Sequence, residues 1–188
     1  MCAMSEAHSP ERFLEELRCE IPSLKVIHKE RDAFSRAIDL ALRVLTLGGQ
    51  AEYVSRYTTV IGTRIYLPAG WDARSPRDRY VTLRHEAVHL RQFARFGLVP
   101  MALAYLLLPF PMGLSWARAR IEWEAYAETF RATAEVFGLE AAKCPRLREY
   151  VIAQFTGPAY GYMFPFPRVV GRWIDHVLAE IERSNASP

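Results

Sequence analysis

Ser75-Pro76-Arg77-Asp78-Arg79-Tyr80-Val81-Thr82-Leu83-Arg84-His85-Glu86-Ala87-Val88-His89-Leu90-Arg91-Gln92-Phe93-Ala94-Arg95-Phe96-Gly97 reads as one amphipathic helix with a marked start and stop. Ser75 is placed to cap it, Pro76 takes the first helical position, where a missing N–H costs nothing, and Asp78 stands at the third. Gly97 suits the left-handed residue that ends a helix, and Pro100 lies just beyond. At 3.6 residues per turn, Arg77, Arg84, Arg91 and Arg95 fall on a solvent stripe. Leu83, Ala87, Leu90 and Ala94 form one inner stripe, and Val81, His85, Val88, His89 and Gln92 form another. Both histidines therefore face inward.

His85, Glu86 and His89 make an H-E-x-x-H pattern. Histidines at i and i+4 lie one turn apart on one helix face, so their imidazoles can converge on a single ion. Catalytic zinc takes three protein ligands and keeps one position for water. Glu86, between the ligands, is within reach of that water as general base. Zinc lowers the water's pKa from 15.7 to about 7 and polarises a scissile carbonyl, so the residue types at this spacing serve ligation and proton transfer together. With 5 His among 188 residues, random placement yields the pattern in roughly one sequence in a hundred, and its weight depends on context.

The third ligand is expected from Ile121-Glu122-Trp123-Glu124-Ala125-Tyr126-Ala127-Glu128, within a long helix spanning about 115–137 and ended by Gly138. Glu122 and Glu124 are about 200° apart on a helix, so one of them at most faces the ion. Arg120, Glu124, Glu128, Arg131 and Glu135 form a charged stripe of the solvated kind. Glu122 shares its stripe with Ala119, Ala125, Thr129, Thr133 and Val136, where a buried carboxylate needs a partner. Glu122 is the first choice and Glu124 the second. His8, His28 and His176 sit in polar or charged surroundings and read as surface residues.

Further from the signature, helical spacing marks about 10–19 and about 30–47, the second closed by Gly48-Gly49. Between Ala51 and Pro68 the β-branched and aromatic content predicts two short antiparallel strands joined at Gly62-Thr63. Phe96 to Ala117 carries no formal charge. Gly97, Pro100, Pro109, Pro111 and Gly113 divide it, so the unbroken apolar part is too short for a span and suits a core helix or peripheral membrane contact through 98–111. Helices are expected over 139 to about 155 and, after a Gly-, Pro- and Tyr-rich loop from Gly157 to Pro167, in a last amphipathic stretch with Val169, Val170, Trp173, Ile174, Val177 and Ile181 inward.

A chain of 188 residues fits one domain, here parsed as N-terminal helices (1–50), a catalytic core (51–137) and a C-terminal helical part (138–188). The formal charge of +3 is dispersed, without the basic face that nucleic acid requires. Cys2, Cys19 and Cys144 lack metal-type spacing and suit free thiols in a reducing compartment. The polar start, without an apolar core, leads to an expectation of cytoplasmic residence, with membrane contact peripheral.

His85-Glu86-Ala87-Val88-His89 together with Glu122-x-Glu124-Ala125-Tyr126 resembles the gluzincin metallopeptidases, in which H-E-x-x-H on one helix is completed by a glutamate on a later one. The second run is similar to the E-x-E-A-D of small and membrane-associated members, and it departs from them at Tyr126, where they carry Asp. The resemblance covers about 57–137. It implies a mainly helical α+β, zincin-like fold with a small hairpin or sheet before the active-site helix, a peptide or protein substrate, and zinc on His85, His89 and Glu122. It also implies an edge strand within Tyr57–Leu67 for the substrate, a segment that equally suits a hairpin covering the core. Tyr160 and Tyr162 are the implied oxyanion-stabilising candidates. A zinc-bearing module that is proteolytically inert, or self-inhibited by the 157–167 loop, is the alternative expectation.

Overall fold

The computed structural model describes residues 8–31, 58–106, 115–157 and 162–186. The expected helix over 32–47, the residues 51–57, Tyr160, the apolar 107–111 and Cys2 lie outside them. The fold is mainly helical with a small three-stranded sheet, an α+β architecture. The chain divides into two compact units, Met1–Ala94 and Arg95–Pro188.

The first unit opens with α1 (Pro10–Glu20), capped by Ser9, whose Oγ accepts from the Arg12 amide. Strand β1 (Lys25–His28) follows, then β2 (Thr59–Ile61) and β3 (Arg64–Leu67). The β2–β3 hairpin turns at Gly62-Thr63 as its composition predicts. Its register sets Val60 against Ile65. The sequence reading lacks β1, which pairs in parallel with β3, Val26 opposite Ile65. The order β1-β3-β2 makes β3 the central strand. Among the described residues both sides of Arg64–Leu67 are hydrogen-bonded to neighbours, so within 57–67 the edge strand is β2.

Helix α2 (Pro76–Phe96) starts where the capping grammar places it. Ser75 Oγ accepts from the Asp78 amide at 3.1 Å and donates to Asp78 Oδ2 at 2.6 Å. It ends at Gly97, whose φ of +83° needs a residue without Cβ. Leu83, Ala87 and Leu90 are buried with Leu17, Val60, Ile65, Leu67 and Trp71 in this unit's core. Ala94 is exposed rather than inner, because the helix reaches the end of that core before its last turn. Arg91 donates twice to the Glu20 carboxylate, each bond 2.8 Å, and ties α2 to α1.

The second unit contains α3 (Leu98–Leu106), α4 (Ser115–Phe137), α5 (Leu139–Ala142), α6 (Pro145–Thr156) and α7 (Pro167–Ala186). The single helix expected from 139 to 155 is two, because Pro145 lacks an N–H and disfavours helical geometry at Cys144; it then opens α6 as its first residue. Phe130, Phe155, Met163, Val170 and Ile174 form the heart of the core. Trp123, Phe155 and Trp173 meet there at centroid separations of 5.4 to 6.4 Å. Arg148 on α6 pairs with Asp175 on α7 and donates to the Gly171 carbonyl at 3.2 Å. A Cβ at Gly171 would stand 2.9 Å from that guanidinium, so glycine permits the approach.

Candidate metal centre

Helix α2 delivers three of the expected site residues by periodicity alone. His85 is half-buried and His89 buried, their ring centroids 5.1 Å apart. Glu86 is also buried, 6% exposed, and lies about 100° round the helix from His85 and about 60° from His89. On α4 the two candidate glutamates separate as the stripe argument requires. Glu122 is 3% exposed and Glu124 lies on the exposed face.

Among the described residues, His85, His89 and Glu122 form a group suited to a metal ion: one ligand atom from each lies within 4.8 Å of the others. Tetrahedral zinc with bonds of about 2.1 Å holds its ligand atoms about 3.4 Å apart. Two imidazoles and a carboxylate are also the donor set of several catalytic zinc sites. The residues fit the ion.

Gln92 adds a feature that the sequence reading placed on the inner stripe without a role. Its Oε1 lies 2.9 Å from His89 Nδ1 inside the protein. An amide oxygen only accepts, so Nδ1 carries the proton and the ring's lone pair is on Nε2, the arrangement a ligating histidine needs. The signal in the sequence is a polar residue three positions past a ligand on an apolar stripe, which must find a buried partner.

The other expected participants stand elsewhere. Tyr126 is a core residue whose ring is 5.6 Å from that of Phe155. Tyr162 is exposed, with φ of +53°, and Tyr160 lies outside the described residues. His8 is half-buried with its ring on the edge of Tyr80, and His28 belongs to β1. His176 is exposed beside Glu180. None of these three histidines is in the metal-ligand group. Comparison with known proteins finds no matching family model, no matching curated protein and no matching solved structure.

Proposed function

We propose that the protein is a zinc-dependent metallopeptidase of the gluzincin type on a zincin-like fold. The observation that carries the reading is the proximity of His85, His89 and Glu122, with a buried Glu86 between the two histidines in sequence. His85, His89 and Glu122 would hold the ion. When bound, zinc supplies Lewis acidity, lowering the pKa of a water and polarising a carbonyl. Glu86 takes a proton from the attacking water and returns it to the departing amine, so one carboxylate serves as base and then as acid. Gln92 holds His89 in the ligating tautomer.

Purified protein is expected to contain about one zinc per chain, and His85→Ala to lose it. Glu86→Gln is expected to keep the zinc and lose cleavage of a broad peptide library. A folded wild type that takes up no zinc sinks the proposal. The burial of Tyr126 in the aromatic core, at the position where the resembled proteins carry Asp, favours a second reading, a zinc-bearing module without proteolysis. That reading fails if the wild type cleaves peptides and Glu86→Gln does not.

A further inference from the structure

Helix α3 is apolar on both sides. Met101 is buried, whereas Leu98, Val99 and Leu103 are 56, 67 and 49% exposed. On a helical wheel these three fall within about 140° of one another, with Val99 and Leu103 about 160° from Met101 and Leu98 about 60° from it, so they form one outward face. Phe96 just before the helix and Trp116 at the start of α4 are further exposed apolar side chains. Contiguous exposure of this kind marks a surface that meets something other than water.

Charge identifies the occupant. Residues 95–121 contain Arg95, Arg118 and Arg120 and no acidic residue, in a chain whose acids number 21 in 188. Arg95 and Arg120 are exposed, and the Arg95 guanidinium stands 5.1 Å from the centroid of the Phe96 ring. An exposed apolar face in a stretch whose only charged residues are arginines, with exposed aromatic rings at Phe96 and Trp116, complements a bilayer whose headgroups are anionic and whose interior is hydrocarbon. Among the described residues, no helix is long and apolar enough to cross a membrane, so the contact is with the surface.

We infer that Leu98, Val99 and Leu103 of α3, flanked by Arg95 and Arg120, dock the protein on the surface of an anionic lipid bilayer. This stands apart from the metal centre and holds whether or not the protein is a peptidase. The test is co-sedimentation of the full chain with vesicles of phosphatidylcholine alone or mixed equally with phosphatidylglycerol. Sedimentation with the mixed vesicles, weakened by salt and by omitting phosphatidylglycerol, is expected. Val99→Glu with Leu103→Glu should lower partitioning at least about tenfold, since even one leucine-sized chain withdrawn from hydrocarbon is worth a factor of ten or more. Arg95→Glu with Arg120→Glu, which removes no buried side chain, should lower binding to the mixed vesicles and leave the neutral ones unchanged. Zinc content and thermal midpoint should match wild type in both variants. Wild type remaining in the supernatant with mixed vesicles overturns the inference, as does equal partitioning of wild type and the arginine variant. So does light scattering in which the Val99/Leu103 variant turns a dimer into a monomer.

Discussion

A buried amide three residues beyond His89 decides which nitrogen of that ring carries the proton. Without the Gln92 oxygen, the imidazole loses the acceptor that fixes its Nδ1 proton, and the cost falls on metal affinity rather than on folding. Gln92→Leu should therefore weaken zinc binding about 10- to 100-fold, read by competition with a chromophoric chelator, while Gln92→Glu, which keeps an acceptor, retains most of it. Equal affinity in wild type and Gln92→Leu removes the positioning role. At this scale the sequence is most legible where chemistry and periodicity coincide. His85, Glu86, His89 and Glu122 all stand where residue type and stripe place them. Gln92 is legible only as an inward polar residue, because its partner is defined by a side-chain rotamer. Nothing local in the sequence identifies Tyr162 as exposed, since Gly- and Pro-rich surroundings suit either state, whereas Tyr126 lies four residues past Glu122 on the same inward face.

Helices read well here because their punctuation is local. Ser75, Pro76, Asp78 and Gly97 bound α2 with residues adjacent to the elements they end. Ser75→Ala should cost about 1 kcal/mol, as N-cap removal does, seen as a lower urea midpoint with an unchanged slope; an unaltered midpoint refutes the capping role. Pro145 is local punctuation too, and reading it as a breaker divides α5 from α6. The sheet is different. Lys25-Val26-Ile27-His28 is too short and too mixed to announce a strand, and it becomes one through a partner almost forty residues away. The hairpin formed by β2 and β3 needs only its own turn, so it could be read, while the strand order that makes β3 central could not.

Over the chain as a whole, ion pairs join elements distant in sequence, and their protons set the response to acid. Hydrogen bonds from Arg91, Arg148 and Arg131 hold the carboxyls of Glu20, Asp175 and Glu180 below their ordinary values. A carboxylate so depressed stabilises the fold fully above its unfolded pKa, about 3.9 for Asp and 4.3 for Glu, and loses that contribution as pH falls through the folded value. The thermal midpoint should thus drop as pH falls below about 4, and Asp175→Asn should reduce the size of this drop. The pairs are largely exposed, so the Asp175→Asn penalty at neutral pH should stay below about 1 kcal/mol and shrink in high salt. A variant with the same acid profile as wild type would show that the Arg148 pair contributes nothing. The dispersed charge behind these pairs is visible in the composition, but their partners are set by packing. Arg131 meets Glu180 and Lys143 meets Glu182 only once α4, α5 and α7 are in place.

The parallel pairing of β1 with β3 also constrains the order in which the first unit can assemble. Bringing Lys25 beside Arg64 closes a loop in the unfolded chain whose length-dependent entropy alone costs about 3 kcal/mol. The β2–β3 turn closes across two residues and can form in microseconds. The hairpin is thus expected to form first, with β1 joining it once α1 and α2 have buried enough apolar surface to offset the closure. Refolding of this unit is governed by a long-range contact.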